Sequence, residues 1–346
     1  MSSPVVVWGA GAIGGTIGAY LVRAGHDVLF VDTVEPHVRQ IAERELRIEG
    51  PIAEFGITAP ALTPERLRGK YDLVLLAVKA HHTEQALQML APHLGREGAV
   101  VSCQNGLNEL VIADAVGRER AIGAFVNFSA DWLAPGQITY AGRGAVVVGE
   151  LDGTRTARIE ALHRLLLDFE PQAQVTDNIF GYLWGKVAYG GVLAASALTN
   201  ATMADFIGDP AMRPLIVGLV REVLAVAAAE GVQPMGFHGF EPAAFMARDE
   251  AGIDASIAAN LVFRSRSSKV RSGFWRDLAI RKRATDVAAQ FQPVQAAARR
   301  HGIATPISDH LVALIGGVER GERTIGMELA EELVRTALGL AARAAA

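Results

Sequence analysis

Apolar positions follow two regimes along this chain, and the change between them predicts its layout. In the first half, short and mostly β-branched runs at Val5–Trp8, Val28–Val31, 73–78, 100–103 and 121–128 alternate with stretches of helical spacing at 16–24 and 83–94. Strand and helix in regular succession are the pattern of a parallel sheet covered by helices on both faces. Two further runs, 137–140 and 145–149, are separated by glycine-rich turns and predict antiparallel strands near the sheet edge. From Asn178 onward the period is helical almost throughout, notably over 214–230, 274–301 and 308–316. The expected fold class is α/β: an N-terminal Rossmann-type doubly wound sheet over residues 1–175, then an all-α helical domain over 176–346. A chain of 346 residues, 50% of them hydrophobic, is long enough for two such cores.

Composition narrows the partners. The formal net charge is only −4, so no global positive field concentrates nucleic acid or anionic lipid, and a small-molecule partner fits better. The uncharged segment 187–203 is shorter than the roughly 20 apolar residues that span a bilayer, and it reads as a buried core helix with no membrane role. The single cysteine, Cys103, sits in an apolar run and reads as a buried strand residue, which leaves no disulfide framework within one chain. A strand begins within the first residues, without a basic leader or cleavage signal, and the expected location is cytoplasmic.

The strongest local signal is the turn Gly9-Ala10-Gly11-Ala12-Ile13-Gly14, which directly follows an apolar strand and opens a helix. In a dinucleotide site Gly9 makes the tight turn, Gly11 lets the backbone approach the pyrophosphate, and Gly14 lets helix pack on strand. A purely structural strand-to-helix turn is the alternative, and the context argues against it. The second strand ends at Asp32, placed to accept hydrogen bonds from the adenosine ribose hydroxyls and to repel a 2′-phosphate. NAD(H) is therefore favoured as cofactor over NADP(H), which remains possible through Arg39 or Arg44; neither lies at the strand end.

Further segments extend the set in order: Lys79 within Ala77-Val78-Lys79-Ala80, Gln104-Asn105-Gly106, Trp184-Gly185-Lys186 with Asn200 downstream, and Asp277 through His301-Gly302-Ile303-Ala304-Thr305-Pro306. On these residues the chain resembles the ketopantoate reductase (2-dehydropantoate 2-reductase) family over nearly its whole length. The resemblance implies an NAD(P)H-dependent enzyme of pantothenate biosynthesis that reduces a 2-oxoacid without a metal, in a cleft between its domains. It implies that Lys186 is the general acid, protonating the substrate carbonyl oxygen as hydride arrives from nicotinamide C4. It also implies that Asp286, where the family carries a glutamate, orients Lys186 or the substrate from one methylene less reach. Lys79 and Asn105 match positions near the cofactor and the reacting end of the substrate, Asn200 matches a substrate position, and a homodimer is expected from some relatives. Two of these residues also have local arguments. A lysine before a long apolar helix is costly to bury unless paired, and burial makes its proton easier to give up, although a snorkelling lysine is the alternative. Asn105 follows a buried strand at the edge where α/β sheets bind ligands, although a simple turn asparagine is equally consistent.

The pattern breaks in the substrate region. Where the family carries two asparagines after the lysine, this chain has Gly190 and Ala194, which share a helix face with Lys186. Before Asp277, the family's Asn and Ser fall on Val270 and Gly273, with Ser272 the nearest residue able to substitute. A larger and less polar pocket is expected, since lost hydrogen-bonding groups shift specificity strongly. The basic cluster Arg264, Arg266, Lys269, Arg271, Arg276, Arg281, Lys282 and Arg283 offers a substitute carboxylate anchor, or simply a solvated surface. Two alternatives follow: a relative acting on a bulkier or less polar hydroxy acid or alcohol, and a non-catalytic NAD-binding regulator.

Overall fold

A computed structural model describes residues 3–265 and 269–345, and the chain divides into two compact units, Met1–Ile179 and Phe180–Ala346. In the first unit, β1 (Val5–Trp8) lies mid-sheet, parallel to β2 (Val28–Val31) on one side and β6 (Tyr71–Leu76) on the other. Beyond β2 lies β5 (Ala61–Leu62); beyond β6 lie β7 (Leu94–Ser102) and β8 (Ala121–Ala134), all parallel. The order β5-β2-β1-β6-β7-β8 reverses direction at β1, which creates a topological switch point outside the carboxyl ends of β1 and β6. The helices α1 (Ala12–Arg23), α2 (Glu35–Glu43), α3 (Thr83–Leu90), α4 (Asn108–Val116) and α5 (Ala157–Leu167) join or flank these strands.

β9 corrects the expected pair of short edge strands. Residues Gln137–Glu150 form one strand, antiparallel to β8, and its outer edge carries β3 (Leu46–Glu49), itself paired with β4 (Phe55–Ile57), and β10 (Gln174–Val175). The glycines read as turns are irregularities within this long hairpin: pairing shifts register around Asn127–Ala130, and a Cβ on Gly144 would overlap the Asn127 carbonyl. The true turn is at Gly136, with φ +76°. Behind the sheet Tyr20, Phe128, Tyr140 and Phe169 meet largely edge to face, all buried.

The second unit is helical: α6 (Ile179–Ala197, whose first residue belongs to the first unit), α7 (Met203–Gly208), α8 (Arg213–Ala229), α9 (Pro242–Ala247), α10 (Glu250–Ser265), α11 (Gly273–Trp275) running into a π-turn at Arg276–Ile280, α12 (Val287–Arg300), α13 (Pro306–Glu319) and α14 (Met327–Ala345). The continuous helix read over 274–301 is broken. Asp277 is 1% exposed, and its carboxylate accepts from Arg281 Nη1 at 3.0 Å and Arg283 Nε at 2.9 Å, which folds 281–286 back on itself with Lys282 at φ +49°. Thr285 ties the end of this loop to Glu319 through its N–H and its hydroxyl, both at 2.7 Å. Asp286 consequently sits at the N-cap of α12, not in mid-helix. Among the described residues no helix is long and apolar enough to cross a membrane.

Candidate active site

Three glycines shape the turn after β1 in different ways. Gly9 has φ +95°, and a Cβ there would lie 2.9 Å from the Ala77 carbonyl carbon and the Val78 nitrogen, so the strand end needs glycine for both torsion and space. A Cβ on Gly14 would overlap the Gly9 carbonyl oxygen and press on Ala77 and Val7 at 2.9 Å. Gly11 differs: nothing lies within 4 Å of where its Cβ would be. Gly11 is also the N-cap of α1, and among the described residues no side chain caps that end, where the positive end of the helix dipole lies. Among the described residues this backbone fits a pyrophosphate, and a dinucleotide's phosphates would be held here. Ala12 and Ile13 are half-buried and Ala10 fully buried.

Asp32 is joined to this turn. Its Oδ2 accepts from the Ala10 N–H at 2.8 Å and its Oδ1 from the Val34 N–H at 2.9 Å. A carboxylate has about four acceptor sites, so capacity remains for ribose hydroxyls. His37, 1% exposed and not singled out from sequence, fixes the other side: its Nδ1 accepts from the Gly136 N–H, which leaves Nε2 to donate to the Ala10 carbonyl, both at 2.8 Å. Arg39 pairs with Glu35 at 3.7 Å, on a solvent-facing side of α2.

Lys79 and Asn105 follow β6 and β7, whose parallel course puts both on the carboxyl edge of the sheet. Lys79 is half-buried and Asn105 exposed. The loops are locked by residues that were not singled out individually from sequence. Gln104 Nε2 donates to the Val78 carbonyl at 2.9 Å and to Thr83 Oγ1 at 2.7 Å, Thr83 donates to Asn108 Oδ1 at 2.9 Å, and Asn108 Nδ2 donates to the Asn105 carbonyl at 2.6 Å. Cys103 is buried just past β7.

In the second unit Lys186 is half-buried on α6, whose neighbouring residues Trp184, Val187 and Ala188 are buried. Gly185 holds this segment close to the chain at Met235: a Cβ would overlap the Met235 carbonyl oxygen, and Met235 N–H donates to the Gly181 carbonyl at 2.9 Å. One turn after Lys186, Gly190 is partly accessible, and among the described residues, outside its own stretch of helix, the only atom within 4 Å of its would-be Cβ is Oε1 of Gln290, on α12, at 3.9 Å. Ala194, two turns on, is 0% exposed. Asn200 lies past the end of α6 and is exposed. Asp286 is 2% exposed, unlike a solvated helix carboxylate.

The basic cluster is mostly committed to structure. Arg264 donates to Tyr189 Oη from Nε at 2.9 Å and from Nη2 at 2.6 Å, Arg271 stacks over Trp275 at 4.2 Å, and Arg281 and Arg283 hold Asp277. Arg266 lies outside the described residues. Ser272 is 4% exposed and caps α11, accepting the Trp275 N–H at 3.2 Å, while a Cβ on Gly273 would meet open space and Val270 is exposed. No group of histidine, cysteine or acidic residues able to hold a metal occurs among the described residues.

A parallel sheet reversing at β1, with an uncapped glycine-lined helix start and a carboxylate at the end of the next strand, makes the first unit a Rossmann-type dinucleotide-binding fold. Residues 5–153 match the model of Ketopantoate reductase PanE/ApbA, and residues 178–319 match Ketopantoate reductase PanE/ApbA C terminal. The chain belongs to the ketopantoate reductase family, and with it to the oxidoreductases acting on CH–OH groups. It is 31% identical over 260 residues to the 2-dehydropantoate 2-reductase of Mesorhizobium japonicum, covering 67% of this chain and 78% of that protein. The structure is similar to a PanE/ApbA family ketopantoate reductase from Ralstonia eutropha JMP134, with TM-score 0.76 and 25% identity over 92% of this chain and 99% of that one. It also shares the fold of a D-mandelate dehydrogenase solved with NADH and anilino(oxo)acetate, at TM-score 0.80 and 22% identity over 92% and 98% of the two chains.

Proposed function

We propose that the protein is an NAD(H)-linked reductase of a 2-oxoacid, with oxidation of the 2-hydroxyacid as the reverse direction. The observation that carries the reading is Lys186, a half-buried cation on an otherwise apolar helix, one turn before the uncovered Gly190. When bound, a reduced nicotinamide supplies the electron pair and hydrogen that turn a carbonyl carbon into a carbinol. The Gly11 turn and the N–H groups opening α1 hold the phosphates of that cofactor, and Asp32 holds its adenosine ribose. Lys186 gives its proton to the carbonyl oxygen, so that no alkoxide has to persist away from water, and Asp286 orients the ammonium or the substrate. Asp32 favours NAD(H), since its charge repels a 2′-phosphate and Arg39 is engaged with Glu35.

Lys186→Ala is the direct test. It is expected to lower kcat about 100-fold or more with NADH and a 2-oxoacid, while NADH binding, read by fluorescence, stays within about twofold. Near-normal turnover removes Lys186 from the chemistry. A second reading, a bulkier or less polar hydroxy acid in place of pantoate, is favoured by the space at Gly190. A 2-oxoacid panel separates the two by which substrate has the highest kcat/KM.

A further inference from the structure

Gln290 lies within α12, one turn after Asp286, whose carbonyl accepts the Gln290 N–H at 2.9 Å. The residue is 5% exposed, and its Nε2 is buried without a hydrogen bond among the described residues. Burying an amide donor unpaired forfeits its hydration with nothing in return, so such a group calls for an explanation. Its position supplies one. The Gln290 amide oxygen faces the side-chain-free Gly190, next to which Phe291 closes the gap at Gly191, where a Cβ would meet its ring at 3.1 Å. Helix α6 thus presents a partly accessible notch at Gly190, one turn from Lys186 on the same face, and α12 sets against it a carboxamide whose oxygen faces Gly190 and whose Nε2 has no hydrogen bond among the described residues.

We propose that Gln290 is a substrate-recognition residue: its carboxamide turns about the last side-chain torsion so that Nε2, the donor without a protein partner, hydrogen-bonds an oxygen of the 2-oxoacid lodged over Gly190, beside the Lys186 ammonium. The inference rests on the reductase reading and names the group that fixes the substrate. A primary amide suits the task, because it donates to a carboxylate or keto oxygen and accepts from a hydroxyl without adding charge next to Lys186. An amide held ready without a protein partner trades folding stability for binding.

The test compares wild type, Gln290→Met, Gly190→Leu and Lys186→Ala for 2-oxoacid kinetics with NADH, binding of oxamate (a 2-oxoacid isostere) in the presence of NADH, NADH affinity, and Tm. Gln290→Met is expected to raise the KM of the best 2-oxoacid and the oxamate Kd about 10- to 100-fold. NADH affinity is expected to be unchanged and Tm equal or higher, because the substitution removes the unpaired amide. Gly190→Leu, which fills the notch against the Gln290 amide, is expected to weaken oxamate to a similar degree. Wild-type KM and oxamate binding in Gln290→Met overturn the inference, and so does a Tm loss of several degrees with KM unchanged, which makes the amide structural. If Lys186→Ala is fully active, the reductase mechanism fails separately; if wild type neither turns over a 2-oxoacid nor binds oxamate, both fail.

Discussion

Three glycines in one turn do different physical work, and the difference can be measured. A methyl group on Gly14 would overlap the Gly9 carbonyl and crowd Val7 and Ala77, so Gly14→Ala is expected to cost about 2 kcal/mol or more and to lower Tm by several degrees. A methyl group on Gly11 would meet nothing among the described residues, so Gly11→Ala is expected to leave Tm within about 1–2 °C of wild type while weakening NADH at least about tenfold, because the proposed pyrophosphate approaches the backbone there. Paired melting and fluorescence titration check both, and equal effects of the two substitutions on either readout contradict the assignment. The turn and Asp32 were legible because their chemistry is local. His37 was not: its two bonds, to the Ala10 carbonyl and from the Gly136 N–H, join points 27 and 99 residues away in the chain. Gln290 was hidden for a related reason, since a glutamine in an amphipathic helix looks solvated until the neighbouring helix is placed against it.

At the scale of elements, apolar periodicity marked where strands and helices lie and missed how they end. The runs at 137–140 and 145–149 were separate in the pattern because Gly142 and Gly144 interrupt it, yet pairing with β8 carries the strand straight through. Helical spacing over 274–301 did not reveal that Asp277, by gathering Arg281 and Arg283, turns the chain out of the helix and leaves Asp286 at the start of α12. The segment at 301–306 was the reverse case: Gly302 at φ +64° follows α12 and Pro306 opens α13, as their backbone preferences dictate. Packing between elements also sets a pH response. His238 stacks on Phe263 of α10 at 3.9 Å, and burial, helped by Arg264, pushes its pKa down from 6.5 to about 4. The unfolded chain takes up a proton at His238 as pH falls through about 6.5, whereas the folded chain resists until about pH 4, so stability present above pH 6.5 is lost across that window. His238→Phe keeps an aromatic face toward Phe263 and removes the titration. Its Tm is expected to fall less than that of wild type between pH 7 and 4.5, and parallel Tm curves for the two proteins would show that His238 does not supply this term.

Over the whole molecule, a chain of 346 residues with net charge −4 combines a dinucleotide-binding unit with a helical one, and both match the same family. The sequence carried this architecture in the order of its motifs; the substrate recognition proposed above rests on which side chains share a notch within the helical unit, and spacing along the chain does not encode that. In the proposed reaction this molecule moves a hydride between NAD(H) and a 2-oxoacid. The most direct measurement is the steady-state oxidation of NADH and of NADPH by the purified protein across a panel of 2-oxoacids that includes ketopantoate and larger, less polar members. Turnover of at least one 2-oxoacid is expected, with kcat/KM for NADH about tenfold or more above that for NADPH, because the role proposed for Asp32 has its carboxylate repel a 2′-phosphate. NADPH preference would contradict the role of Asp32, and no oxidation of either cofactor by any 2-oxoacid would contradict the claim itself.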